Sequence, residues 1–485
     1  MWPNEYKNFS TAELEYILQD HKFKTKPMHH QLVSLAWCLD GESDRKTKWF
    51  DVGTGKSLTS LYAHQIWGFN RLLIVCPNSV VEGWEDQITE HTDFTYCLLK
   101  GSKEERTSLL HNSDADIFVL NYEGLQVIFG ERVPYGKKTK WVLNRQACKD
   151  ANLDGLIFDE CQRLQSPDSH VTQVSMCLSE FADQLINMTA TAGDQMINLH
   201  SQYLVLDGGY TLGGSRKKYL KKHFKQDFWG NWEIKDGEME KIMDRIAPVT
   251  LQYEQDECFD LPEKRYQIKC LDMTAEQRDW YWKIKTSTSI EHDGETIDFT
   301  DRHGDILPGV VGNKLAQIAG GLLKFPNHTL RLKKQPKLDE LESLIREIPG
   351  KLIIFHGYVE EGRMISERLD TIGVKHVCMR SEVKDKTGWR QLKTDPDCRV
   401  LVAHPSSGGV GLNLQVATTI IFYSNSCSGS TVRTQAEGRI WRLGQTKTCL
   451  IIDLKLRDSI DEKRLETLQE RADIVASIKD YISSW

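Results

Sequence analysis

The chain has 485 residues, 40% hydrophobic and 27% charged, with 62 Lys and Arg against 69 Asp and Glu for a net charge of −7. That length exceeds a single hydrophobic core and asks for two to three domains, while the ordinary composition lies far from disordered and membrane classes. No apolar run approaches the ~20 residues that span a bilayer, so no membrane partner is expected, and any polyanion must be met by local clusters of Lys and Arg.

In chain order, residues 1–21 read as an N-terminal extension without the basic start and apolar stretch of a secretory signal, which makes a cytoplasmic setting the expectation. From 22 to 254, short apolar strands alternate with amphipathic stretches, the pattern of a parallel sheet covered by helices. Residues 48–52 read as a strand and 57–67 as a helix, with Gly53, Thr54, Gly55, Lys56 and Ser57 between and at its start. This is the strand-loop-helix setting of a phosphate site, although Phe50 stands where the strict loop pattern wants glycine. Glycines let backbone N–H groups close on a triphosphate, Lys56 can reach its outer phosphates, and Ser57 can hold Mg²⁺. Further strands fall at 72–76, 117–120, 156–158 and 185–188. The third ends in Asp159 and Glu160, suited to holding the metal and activating water, or alternatively two solvated acids at a strand end. Residues 215–225 are the most basic stretch, in which Lys217, Lys218 and Lys221 either meet DNA phosphates or are merely solvated.

Residues 255–336 read as a connector with its own helices, including a loop-like patch at 291–312 and a basic link at 331–337. A second series of strands at 352–355, 376–379, 400–403, 418–423 and 450–454 makes 337–457 a second α/β lobe. Within it, Ser406 and Ser407 open a small-residue turn running to Leu414 and including Gly411, a tight connection or a phosphate contact. Read as a helix, 435–445 sets Gln435, Arg439 and Arg442 on one face, where the arginines are either solvated or able to reach a nucleotide. Residues 458–485 read as a C-terminal helix with an apolar stripe through Ile460, Leu465, Leu468, Ile474 and Ile478. The twelve cysteines form no C-x-x-C pair, so neither a cysteine zinc site nor a redox dithiol is expected.

Taken together these segments resemble the Swi/Snf-type branch of the superfamily-two helicases, the double-stranded DNA translocases. Gln31 within 30–37 resembles the adenine-sensing motif, 53–57 motif I, 75–79 with Trp84 motif Ia, and Asn121-Tyr122-Glu123 the next DNA-facing segment. Residues 159–164 with Pro167 resemble motif II, 189–191 motif III, Leu261-Pro262 the leucine-proline connector, 408–414 motif V and 435–445 motif VI. The resemblance implies two tandem RecA-like lobes, parallel sheets flanked by helices, with a nucleotide cleft between them. It implies ATP and Mg²⁺ as cofactors: Gln31 reading adenine, Lys56 and Ser57 holding phosphates and metal, Asp159 and Glu160 acting on metal and water. Arg439 and Arg442 would be arginines supplied from the second lobe, with Gly411 and Gln435 beside the nucleotide. DNA contacts would fall at Ser79, Asn121, Tyr122, Ser406 and Ser407. The expected activity is ATP-driven movement, as a monomer, on double-stranded or branched DNA in a bacterial or phage-infected cytoplasm, in recombination, branch migration or repair. Two alternatives stay open, a strand-separating helicase and a nucleotide-gated DNA-binding protein that does not cycle. Gln162 stands in place of the family's histidine after motif II, 192–194 depart from the continuation of motif III, and Trp441 replaces a histidine in motif VI.

Overall fold

The computed structural model describes residues 3–39, 43–136, 138–190, 196–226, 232–379, 388–405, 414–425 and 429–483. The chain divides into two compact units, Met1–Phe259 with Asp473–Trp485, and Asp260–Ala472.

The strands of the first unit are β1 (Arg45–Phe50), β2 (Leu72–Cys76), β3 (Tyr96–Leu98), β4 (Ile117–Asn121), β5 (Gly130–Tyr135), β6 (Lys138–Leu143), β7 (Gly155–Asp159), β8 (Gln184–Thr189), β9 (Phe224–Gln226), β10 (Trp232–Ile234) and β11 (Thr250–Tyr253). Seven of them form one sheet in the order β11-β1-β8-β7-β2-β4-β3, and every pairing in it is parallel. Strands buried on both faces read as unbroken apolar runs, as Leu72-Leu73-Ile74-Val75 and Leu156-Ile157-Phe158 do. Helices such as Lys56–Trp67, Val81–His91 and His170–Phe181 follow the strands and supply the cover. The β5–β6 hairpin, which the apolar pattern does not announce, exposes Arg132, Tyr135 and Lys140, while Trp141 stacks on His170 at 4.0 Å.

In the second unit the strands are β12 (Lys264–Leu271), β13 (Ser289–His292), β14 (Glu295–Asp298), β15 (Leu322–Lys324), β16 (Thr329–Arg331), β17 (Leu352–Phe355), β18 (His376–Met379), β19 (Val400–Ala403), β20 (Thr419–Phe422) and β21 (Cys449–Leu456). A second all-parallel sheet has the order β12-β21-β20-β17-β19-β18. Its edge strand β12 lies inside the stretch read as a connector. Lys264, Arg265 and Tyr266 make it look polar because one edge of the ladder is open, so its pattern lacks the apolar run of an inner strand. The patch at 291–312 is also not loop: it holds the turn of the β13–β14 hairpin and the start of the helix Pro308–Ala319. Asp293 and Gly294 both have positive φ, 50° and 76°, the tight turn that an Asp-Gly pair favours.

The C-terminal helix runs Ile460–Ser483, with the side chains of Ile474 and Ile478 outside the described residues. Among the described residues, no helix is long and apolar enough to cross a membrane.

Candidate active site

In the first unit, β1 ends earlier than the sequence suggests, at Phe50, because residues 51–54 are used to turn the chain. Asp51 N–H still donates to Tyr253 O at 2.9 Å, prolonging the ladder with β11 by one bond. Gly53 and Gly55 then take φ of 84° and 87°, left-handed values that a side chain resists. A Cβ at Gly55 would also overlap the Gln31 amide. Thr54 Oγ1 donates to Asp51 O at 2.8 Å and closes the turn, and the helix Lys56–Trp67 starts directly behind it. Lys56 Nζ folds back to donate to the carbonyls of Phe50 (2.6 Å) and Asp51 (3.1 Å). Gln31 is buried under the loop, accepting from Met28 N–H at 2.9 Å and donating to Thr54 O at 3.4 Å. His30 shares the same Thr54 carbonyl at 2.8 Å.

Asp159 and Glu160 sit at the C-terminal end of β7, two strands from β1 in the sheet. Trp84 Nε1 donates to Asp159 Oδ2 at 3.0 Å, and the Tyr122 hydroxyl to the Asp159 carbonyl oxygen at 2.9 Å. Burial first, then the neighbouring Glu160, push the Asp159 carboxyl up from its usual range, and Lys56 and the Trp84 N–H oppose that shift. The Lys56 ammonium therefore acts electrostatically on this carboxylate. Glu160 has φ of 55°, a left-handed backbone that non-glycine residues occupy at functional turns. Gln162 Nε2 donates to Glu160 Oε2 at 2.7 Å, so the residue that departs from the family pattern orients the second acid directly. Thr189 and Ala190 are buried at the end of β8, and Thr191 lies outside the described residues. The donor set suits Mg²⁺ and a triphosphate: a glycine turn at a helix start, the Lys56 ammonium, the Ser57 hydroxyl, and a buried acid pair at a strand end.

In the second unit, the helix that was to carry Gln435, Arg439 and Arg442 on one face is Gly429–Glu437 and stops before both arginines. Gly438 starts a run of turns to residue 444, so the shared helical face does not exist. Arg439 is 4% exposed: it donates to Pro405 O at 2.8 Å and lies 5.5 Å from the Phe355 ring centroid. Its Nη1 finds no hydrogen-bond partner among the described residues, and burial pushes its pKa down to about 10. Arg442 is half-buried, and burial lowers its pKa too. Gln445 is a structural tie, donating to the carbonyls of Gln415 (3.0 Å), Ala417 (3.2 Å) and Ile440 (3.1 Å).

Sequence reasoning missed Arg433, which holds this segment. It meets Asp453 with both terminal nitrogens (2.7 and 2.9 Å), Glu437 through Nε (2.7 Å) and Asn425 (3.0 Å), and lies 3.8 Å over the Phe422 ring. Two signals were readable. Arg433 and Glu437 are four apart on a helix, and Asp453 interrupts the apolar run from Leu450 to Leu454, where a buried carboxylate demands a partner.

The residues expected at DNA are placed unevenly. Ser79 is exposed in the turn Asn78–Val80 behind β2, and Asn121 ends β4, accepting from Arg106 (3.1 Å) and donating to Glu123 (3.0 Å). Tyr122 is a correction: 2% exposed, with its hydroxyl on the Asp159 carbonyl, it belongs to the core and braces the acid pair. Lys217, Lys218 and Lys221 are exposed on the helix Arg216–His223, which turns Tyr219 inward. Gly213, Ser215, Lys218, Lys222, His223 and Arg245 line a surface pocket there. Ser406, Ser407 and Gly411 lie outside the described residues.

Comparison with known proteins adds an independent line. Residues 30–307, more than half of the chain, match the SNF2-related domain, and residues 336–444 match the helicase conserved C-terminal domain. The chain is 22% identical over 491 residues to protein p41 of Acyrthosiphon pisum secondary endosymbiont phage 1, covering 95% of this chain and 98% of that one. It is 23% identical over 469 residues to the ISWI chromatin-remodeling complex ATPase ISW1 of Saccharomyces cerevisiae, covering 87% of this chain but only 37% of the yeast protein. It is also similar to the solved Sulfolobus solfataricus SWI2/SNF2 ATPase core in complex with dsDNA, at 19% identity and a TM-score of 0.42, covering 96% of this chain and 94% of that one.

Proposed function

Since the chain belongs to the SNF2-related family of helicase-like, DNA-dependent ATP hydrolases, we propose that it couples ATP turnover to movement along duplex or branched DNA, remodelling forks, junctions or bound proteins. The observation that carries the reading is the pairing of Lys56, poised on the strand-end carbonyls of Phe50 and Asp51, with the braced acids Asp159 and Glu160. In this reading Lys56 exchanges those carbonyls for the outer phosphates, and the N–H groups around Gly53, Thr54 and Gly55 line the phosphate chain. Glu160, held by Gln162, orients the attacking water. Gln31 reads adenine while bracing Thr54, which links base recognition to the shape of the loop. Ser57 and Asp159 would hold Mg²⁺, which would supply charge neutralisation for phosphoryl transfer. Arg439 and Arg442 are the arginines that the family resemblance assigns to the transferring phosphoryl group, with Arg442 the choice for the finger. The same resemblance assigns Gln435 and Gly411 to the nucleotide.

For the track, Lys217, Lys218 and Lys221 together with the pocket beside them offer charge for phosphates, aided by Ser79, Asn121, Ser406 and Ser407. Binding of this kind is weakly sequence-specific and steeply salt-dependent. The test is ATP turnover with no DNA, single strands, duplex and a four-way junction, with Lys56→Ala as the blank. Stimulation by duplex or junction above single strands supports the reading. Stimulation by single strands alone overturns it.

A further inference from the structure

The helix Ala275–Thr286, the β13–β14 hairpin, the helix Pro308–Ala319 and the β15–β16 hairpin share a small core of Ile284, Ile290, Ile297, Phe299, Ile318, Leu323, Phe325 and Leu332. At the rim of this core two chain segments 36 residues apart bring imidazoles face to face. His292, the last residue of β13, points Nδ1 at Nε2 of His328, in the β15–β16 turn, at 3.1 Å. Asp293, in the tight turn behind β13, places Oδ2 3.5 Å from the same Nδ1. Two tetrahedral ligands on zinc, each about 2.0 Å from the metal, lie about 3.3 Å apart. The observed separations are therefore those of the edges of such a tetrahedron, and one donor atom from each of the three residues lies within 4.8 Å of the others.

The surroundings agree. His328 presents its other nitrogen, Nδ1, to Glu295 Oε2 at 3.3 Å, and that carboxylate is itself fixed by Asn327 N–H at 3.0 Å. A metal-bound imidazole characteristically gives its second N–H to a carboxylate, which sets the tautomer and strengthens the ligand. Phe325 stacks on His328 (4.8 Å, 3° between planes) and Trp280 meets His292 edge-on (5.8 Å), holding both ring planes. A simple His–His hydrogen bond needs neither the turn carboxylate nor the buttress behind the second ring.

We propose that His292 Nδ1, His328 Nε2 and a carboxylate oxygen of Asp293 form a site for a zinc-class divalent cation, a water completing the tetrahedron, that clasps the tips of the two hairpins. Two imidazoles and one carboxylate select zinc, cobalt, nickel or copper over Mg²⁺ and Ca²⁺, which prefer all-oxygen shells. The site is thus chemically separate from the Mg²⁺ position at Ser57 and Asp159.

The test uses the full chain, stripped with a chelator and held in excess Mg²⁺. Titration with Zn²⁺ is expected to show one equivalent bound at micromolar or tighter affinity. Co²⁺ should give the intense visible bands of tetrahedral N,O coordination without the charge-transfer band of a cysteine ligand. His328→Ala should lose the site, and Glu295→Gln, which removes the carboxylate behind the His328 ring, should weaken zinc about tenfold or more. Asp293→Asn, which leaves both rings in place, should also weaken it and serves if an alanine variant fails to fold. Basal ATP turnover in Mg²⁺ should stay unchanged. Zinc binding that is absent, or that persists unchanged in the His328 and Asp293 variants, overturns the proposal.

Discussion

The phosphate loop of the first unit and the arginine segment of the second hold their cations in opposite ways. Lys56 rests on two backbone carbonyls, partners that a phosphate can replace without leaving a charge stranded. Arg433 is bound to two carboxylates and an amide and is covered by an aromatic ring, partners that nothing in solution replaces. Arg439 is an intermediate case, committed to one carbonyl with a second nitrogen that finds no partner among the described residues. A functional cation is recognised less by its burial than by how weakly its present partners hold it.

The sharpest way to break this comparison is to delete each cation and ask which property falls. Lys56→Ala should cut ATP turnover about 10³-fold or more, the scale of losing a preorganised charge at a phosphoryl-transfer site. Its midpoint of thermal unfolding should move less than that of Arg433→Ala, because Lys56 bonds two carbonyls where Arg433 bonds two buried carboxylates. Arg433→Ala should do the reverse at the level of folding, costing about 3–5 kcal/mol by stranding Asp453 and Glu437 in a buried site. Urea denaturation of both variants beside an ATPase assay decides the matter. If Lys56→Ala destabilises as much as Arg433→Ala, the distinction between a poised and an anchored cation fails.

This contrast also explains what could be read from the sequence. Strands such as Leu72–Cys76 and Leu352–Phe355 were legible because burial on both faces writes an unbroken apolar run, and the acids after Phe158 were legible because they end one. Gly53 and Gly55 were legible because the turn requires their φ. The arginine segment was not, since a three-and-four spacing implies a shared face only if the helix continues, and this one ends at Glu437. Tyr122 misled for a related reason: its place after β4 suggests a surface, yet the partner that fixes it, Asp159, is 37 residues away. The zinc-class cluster escaped notice because its histidines are 36 residues apart and meet only through two hairpins, of which the Asp293-Gly294 turn alone leaves a local signature.

A third cation sharpens the comparison, because it also rests on a backbone carbonyl but is fully buried. Lys48 is fully buried in β1 with its ammonium donating to Thr59 O at 2.9 Å, and burial pushes its pKa down to about 8. In the unfolded chain the lysine keeps its proton to about 10.4. Between these values the unfolded state binds more protons, so stability rises with pH, and the destabilisation is fully present below about 8. Lys48→Met should therefore stabilise the protein at pH 7 by up to about 2–3 kcal/mol, a gain that shrinks as pH approaches 10.4. Denaturation of the variant and its parent at pH 7 and pH 10 measures the difference. A gain equal at both values would trace the effect to packing rather than charge.

The smallest expected effect concerns Gln162, where this chain departs from the histidine usual in its family. Its Nε2 reaches Glu160 Oε2 at 2.7 Å, and Glu160 is held in a left-handed backbone, so the amide adds orientation to an acid whose main chain is already fixed. A hydrogen bond to a charged group contributes about 1.5–3 kcal/mol when nothing else holds the acceptor. Here the backbone holds it too, so Gln162→Ala should slow ATP turnover by about tenfold or less, near 1.4 kcal/mol. Because the residue acts on the acid rather than on the nucleotide, the loss should appear in kcat with KM for ATP unchanged, and Gln162→His should recover most of it. A rise in KM with kcat preserved would mean that Gln162 serves nucleotide binding, and would move it from the braced acid pair to the poised side of the comparison.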